Sequence, residues 1–151
     1  AINWQVIILI SALIPVGIVI QNTGTAVWIA DFIASATKSV SSEWQPKVLL
    51  AMIYFMTIIL TEISSNAATA IIMTPIAIAV AQKMGFDPRA FVFAVAFAAS
   101  ASFITPVGYQ TNLMVYGPGG YKFSDYIRVG FPLAILFWIM AIYLLPILWP
   151  I

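Results

Sequence analysis

Cysteine and histidine are both absent from the 151 residues. Without cysteine there is no disulfide and no thiolate metal site. Without histidine the commonest metal ligand and general base is missing as well. Acids are scarce: Asp31, Glu43, Glu62, Asp87 and Asp125 are all of them. Most hydrolytic chemistry therefore lacks its parts. No nucleophile–base pair is visible, so the chain does not read as an enzyme. Six Lys/Arg balance five Asp/Glu for a net charge of +1. That argues against any nucleic-acid role. No signal peptide shows in residues 1–20, which lack a basic start and a cleavage site. The chain begins at Ala1 rather than Met and is expected to be a piece of a longer protein.

What is present is apolar. The chain is 63% hydrophobic and 7% charged, with a mean hydropathy of +1.06. A soluble domain carries about 25% charged residues. A chain this short has no interior large enough to hide so much apolar surface. It is read as an integral membrane protein.

The few charges punctuate the chain. Trp4 to Ile20 approaches the roughly 20 residues that a span needs. Pro15 and Gly17 inside it predict a kink or local unwinding. Residues 25–38 are shorter and mixed, and suit a helix lying in the interface. Val27, Trp28, Ile29, Phe32 and Ile33 are expected near one face of it. Trp44 to Ile63 and Ala67 to Gln82 are apolar halves with no charged loop between them. One helix over both would be about 54 Å long, far beyond a bilayer core of about 30 Å. Two full spans, or a re-entrant hairpin with its tip at depth, are the alternatives. The small uncharged tip favours the hairpin. Residues 83–89 form a surface turn. Ala90 to Ile104 is rich in small residues, and Ala98 to Ser102 permits close helix approach. Val129 to Leu148 is a clean final span. The expected spans are 4–22, 90–116 and 128–149, with an interfacial helix at 25–38 and the hairpin at 44–82. Trp4, Trp28, Trp44 and Trp149 are read as interfacial belt residues, and Phe91, Phe93 and Phe97 as lipid-facing or packing.

Two uncharged polar breaks interrupt the apolar runs. The first is Ser64-Ser65-Asn66-Ala67-Ala68-Thr69. The second is Thr105-Pro106-Val107-Gly108-Tyr109-Gln110-Thr111-Asn112. Irregular polar backbone inside a membrane is tolerated only when buried in protein or lining a cavity. At the first break one half-helix ends in free carbonyls and the next begins in free N–H groups. Carbonyls suit a cation, and N–H groups suit an anion. At the second, Pro106 removes a donor and Gly108 permits unusual backbone angles. Capping and packing for the first break, and an ordinary proline kink for the second, are the bland readings. Glu62 is the sole acid in an apolar segment. It is read either as a proton or cation ligand or as a structural partner near the tip.

The tip Thr61-Glu62-Ile63-Ser64-Ser65-Asn66-Ala67-Ala68-Thr69, the Thr105-to-Asn112 break, and Tyr116-Gly117-Pro118-Gly119-Gly120-Tyr121 together resemble the divalent-anion/Na⁺ symporter family. The similarity runs from about Trp4 to the end and covers the C-terminal inverted repeat. It implies an all-α integral membrane fold, with spanning helices, a re-entrant helical hairpin and a broken helix, forming half of an inverted-repeat transporter. Residues 1–151 would be a single membrane transport unit. The implied function is Na⁺-coupled transport of a small divalent anion, sulfate or a dicarboxylate, by an elevator motion. A passive anion channel or a non-transporting subunit is the alternative. The resemblance assigns substrate binding to Ser65, Asn66, Ala67, Thr105 and Pro106. It assigns sodium to Thr61, Ser64 and Asn66, with carbonyls at Ile104 and Pro106. The family's tip motif is Ser-Asn-Thr, and here Ala67 replaces the threonine. Implied partners are Na⁺, the anion, the bilayer, an N-terminal repeat and a second copy in a homodimer. No cofactor beyond Na⁺ as coupling ion is implied, and the location would be the plasma (inner) membrane.

Overall fold

The computed structural model describes residues 4–151, the side chains of Gln5, Val6 and Leu9 apart. The described residues form helices joined by turns, with no strand. In chain order these are α1 (Trp4–Asn22), α2 (Thr25–Ala36), α3 (Gln45–Thr61), α4 (Asn66–Met84), α5 (Pro88–Ser100), α6 (Gln110–Tyr116) and α7 (Phe123–Leu148). By length and apolarity α4 and α7 are each able to cross a membrane. The bent pair α1–α2 makes a third if it is one span. This is an all-helical integral membrane protein.

Helix α1 stays helical through Pro15 to Asn22, without the local unwinding that was the alternative to a kink there. A bend of 61° between α1 and α2 comes at the Thr23-Gly24 junction. Gly24 stands at φ 73°, a left-handed angle that glycine adopts without steric cost and that ends a helix. Gly17 faces α4, and a β-carbon there would make only an ordinary contact, 3.4 Å from the Ile71 carbonyl oxygen. Helix α2 has two apolar faces rather than one. Ala26, Ala30, Ile33 and Ala34 are buried, while Val27, Trp28 and Phe32 point outward. Ile33 therefore parts company with the aromatic stripe. The small face packs on α4.

Helices α4 and α5 form the centre, packed on each other and on α3. The reason is legible on α5. Ala90, Ala94 and Ala98 recur every fourth residue and are all 0% exposed. Without a hydrophobic driving force in lipid, small side chains let helices approach closely and gain dispersion contacts. Leu49, Leu50, Ile53 and Tyr54 of α3 and Val80 of α4 fill the remaining space. Phe91 is fully buried among them, whereas Phe93 and Phe97 are exposed at 37% and 53%.

The turn after α4 is built by two caps. Gly85 at φ 77° ends α4, and Phe86 N–H donates back to the Ala81 carbonyl at 2.9 Å. Asp87 then caps α5, accepting from Arg89 N–H at 2.9 Å with Pro88 in the first turn. The Arg89 guanidinium also grips the Asp87 carboxylate, at 2.7 and 2.9 Å. That hydrogen bond holds the carboxyl below its ordinary value. Lys83 pairs with Asp31 nearby, so this end of the molecule is a charged rim. Helix α7 lies against α3, where the Trp138 indole donates to the Ala51 carbonyl at 2.9 Å.

Candidate functional site

The first break is short. Helix α3 stops at Thr61, and Glu62 to Ser65 carry the chain to the first residue of α4. Ser65 is extended, at φ −66° and ψ 147°, and its hydroxyl accepts from Ala68 N–H at 3.2 Å. That is a helix N-cap, satisfying one orphan donor. Ile63 projects outward at 78% exposure, while Glu62 folds inward at 7%.

The second break runs from Ala101 to Tyr109, between α5 and α6. Pro106 and Gly108 are buried. A β-carbon on Gly108 would lie 2.2 Å from Ser102 Oγ and 3.0 Å from Glu62 Oε2. Only glycine leaves room for the first break at that point. Across the loop, Gly130 of α7 is equally tight. Its β-carbon would be 2.0 Å from the Phe103 carbonyl oxygen.

The two breaks meet, and polar bonds hold them together. Thr61 Oγ1 lies 2.7 Å from the Ala99 carbonyl oxygen and 2.9 Å from Asn66 Oδ1. One hydroxyl proton serves one acceptor only. With the Asn66 amide turned so that Nδ2 faces Thr61, the amide donates to Oγ1, Oγ1 donates to Ala99, and both bonds are made. Ser102 Oγ donates to the Thr61 carbonyl at 3.2 Å. The Glu62 carboxylate accepts from Ile104 N–H at 2.9 Å and from Thr105 N–H at 2.8 Å. Thr105 Oγ1 donates to the Glu62 carbonyl at 3.2 Å and accepts from Gly108 N–H at 3.0 Å. Asn112 closes the loop, its amide donating to the carbonyls of Ser102 at 3.0 Å and Thr105 at 3.3 Å. Tyr126 of α7 donates to the Asn112 carbonyl at 2.9 Å. Unpaired polar backbone inside a bilayer is costly, and this network is what makes the irregular stretch affordable.

Of the residues singled out from the sequence, Thr61, Asn66 and Thr105 enter this network directly. Ile104 contributes its N–H, and among the described residues its carbonyl oxygen receives no hydrogen bond. Pro106 is buried beside them. Ser65 sits at the α4 cap and Ala67 follows, half-buried, in the first turn. The Ser64 hydroxyl joins no hydrogen bond among the described residues; only its N–H bonds, to Leu60. Gln110 and Thr111 are exposed and stand apart from the network. Sequence reasoning passed over Ser102, Gly130 and the Ala99 carbonyl. Ser102 was legible only as part of a small-residue run, and Gly130 carried no signal at all. Thr69, fully buried in the first turns of α4, is the one buried side-chain oxygen among the described residues without a hydrogen-bond partner. An open, mostly apolar cavity of about 360 Å³ lies beyond the second break, lined by Phe103, Asn112, Tyr121, Tyr126 and Gly130 among others. Neither Ser65 nor Thr105 lines it.

The first break offers the Glu62 carboxylate, the Asn66 amide and the capped start of α4, and the second meets it with the N–H groups of Ile104 and Thr105. Comparison with known proteins gives it a context. An uncharacterized transporter of Synechocystis is 52% identical over 136 residues, 90% of this chain and 22% of that protein. One of Escherichia coli is 36% identical over 99% of the chain and 24% of its own length. Sodium/sulfate cotransporter 2 of Chlamydomonas reinhardtii is 35% identical over 94% of the chain and 16% of its own length. The chain thus spans less than a quarter of each. These relatives are named as transporters, not enzymes. The family model described as CitMHS, citrate transporter, matches residues 1–96 and 65–151, and the chain accordingly belongs to the citrate transporter family, in keeping with the divalent-anion/Na⁺ symporter resemblance of its two breaks.

Proposed function

We propose that the full-length protein is a Na⁺-coupled secondary transporter of a small divalent anion, sulfate or a dicarboxylate. The observation that carries this reading is the bonding of Thr61 to Asn66 and to the Ala99 carbonyl, at 2.9 and 2.7 Å. It brings the tip of one polar break against the end of α5, where the second begins. With the Asn66 amide donating to Thr61, its Oδ1 is left free for a cation. The sodium set would be Thr61, Ser64 and Asn66 with the carbonyls of Ile104 and Pro106. The anion set would be Ser65, Asn66, Ala67, Thr105 and Pro106, using N–H groups at the start of α4. Broken-helix transporters place half-helix ends at such sites.

Coupling follows from shared structure. Asn66 belongs to both sets, so a bound Na⁺ orders the tip on which the anion sits. Sodium is the coupling ion, and the reading calls for no cofactor. The names of the Chlamydomonas relatives support sodium and sulfate, and the family name supports a carboxylate. The reading further takes α3–α4 as a re-entrant hairpin and the chain as one of two inverted repeats. The assembly would be a homodimer in the plasma (inner) membrane, moving the site by an elevator motion.

The test is uptake by the full-length protein in proteoliposomes, with labelled sulfate and labelled citrate, in Na⁺ and in choline. Wild type should accumulate label only with an inward Na⁺ gradient. Asn66→Ala should abolish that uptake while the protein still purifies as a single species. Non-saturating, Na⁺-independent flux would indicate a channel and overturn the reading.

A further inference from the structure

Glu62 has no place in either ligand set, yet it is the most committed side chain in the network. Its two carboxylate oxygens take the N–H groups of Ile104 and Thr105, one each, at 2.9 and 2.8 Å. Only an acceptor at both positions can do this, which suits a carboxylate and not an amide. The ion pairs found among the described residues, Lys83–Asp31 and Arg89–Asp87, leave it without a basic partner. A buried acid is retained against its desolvation cost when its hydrogen bonds do something specific.

The consequence lies in the peptide planes. In a trans peptide the C=O and N–H point to opposite sides, and the described residues contain no cis bond. Ile104 N–H shares its plane with the Phe103 carbonyl, which points away onto the Gly130 backbone face. Thr105 N–H shares its plane with the Ile104 carbonyl. Holding Thr105 N–H on Glu62 therefore turns the Ile104 oxygen away from Glu62. The charged acceptor also polarises that amide, making its carbonyl oxygen a better donor to a cation. We propose that Glu62 is the positioning residue for the sodium site: it sets the direction and basicity of the Ile104 carbonyl without touching the ion. This rests on the Na⁺ reading above.

The experiment is a Na⁺ titration of uptake at saturating anion, with full-length wild type, Glu62→Gln and Glu62→Asp. Glutamine keeps one acceptor and turns a donor toward the other N–H. Aspartate keeps the charge but falls a methylene short. Groups that orient metal ligands typically change affinity by about 10- to 100-fold when mutated. Both variants should raise the half-saturating Na⁺ concentration at least about tenfold. The anion half-saturation measured at saturating Na⁺ should shift less than the Na⁺ titration does, since the N–H groups of α4 are untouched and Thr105 is the one member of the anion set that the Glu62 carboxylate holds. A merely structural acid would lower yield and thermal stability and leave the Na⁺ titration of the surviving protein where it was. An unchanged titration in either variant overturns the proposal. Should Glu62→Gln give no folded protein, Glu62→Asp decides alone: wild-type Na⁺ dependence there would mean that geometry is not what matters. Na⁺-independent uptake by wild type would instead remove the functional reading beneath it.

Discussion

At the scale of single residues, the sequence was most readable where chemistry is unusual for its surroundings. Ser65, Asn66, Thr105 and Pro106 stand out because polar or ring-constrained residues are costly inside an apolar run. Glu62 stood out as an acid, but not what it does. Its partners lie 42 and 43 residues further on and are backbone N–H groups, which every sequence contains. Gly130 was silent, and Gly108 was read for the wrong property: its φ is not positive, and both glycines matter for the absence of a β-carbon at a contact no local pattern encodes. Ala67 is the readable departure. It puts a methyl group where the resembled tip motif carries a hydroxyl. Restoring it with Ala67→Thr adds a donor in the first turn of α4. Dicarboxylates should then compete better against labelled sulfate, their half-inhibitory concentration falling by about tenfold, which corresponds to one hydrogen bond to a charged group at roughly 1.5 kcal/mol. An unaltered competition profile would show that position 67 does not touch the anion.

At the scale of elements, the helices were legible from apolar length and from the Gly85 stop and Pro88 start between α4 and α5. The corner was legible too, since Gln21-Asn22-Thr23-Gly24 reads as the end of the first apolar run and Gly24 stands there at φ 73°. Pro15 was the weaker guide, because α1 stays helical through it. The alanine face of α5 gives the firmest expectation here. Ala94 is 0% exposed and lies between two alanines on the same face. Ala94→Leu would push α5 off its neighbours in the core, at a cost of about 1–3 kcal/mol. Thermal unfolding of the purified protein should show a lowered midpoint. Transport by the fraction that folds should also weaken, because the last turn of α5 carries the Ala99 carbonyl that Thr61 holds. Equal stability to wild type would mean the face is looser than its burial shows.

At the scale of the whole molecule, membrane class and helical fold followed from composition, and the family from the two breaks. What composition could not convey is polarity from end to end. Lys83, Asp31, Asp87 and Arg89 gather at one rim, and the uncharged tip begins the other end of α4. Helix α4 thereby works as a depth gauge. Seventeen residues separate Asn66 from Lys83, about 26 Å along the axis. With its rim among the headgroups and the ordinary tilt near 20°, α4 would carry the tip most of the way through a core of about 30 Å. A tip at mid-depth requires α4 to lean about 55°, beyond the usual 0–40° of spanning helices, or the leaflet to thin above it. Spin labels at positions 83 and 67 of the full-length protein, read by oxygen and nickel accessibility, would measure both depths. A mid-depth tip beneath a shallow rim is the expected pair. That pair with α4 at an ordinary tilt would make this protein a local deformer of its own bilayer, with a transport rate that answers to lipid chain length.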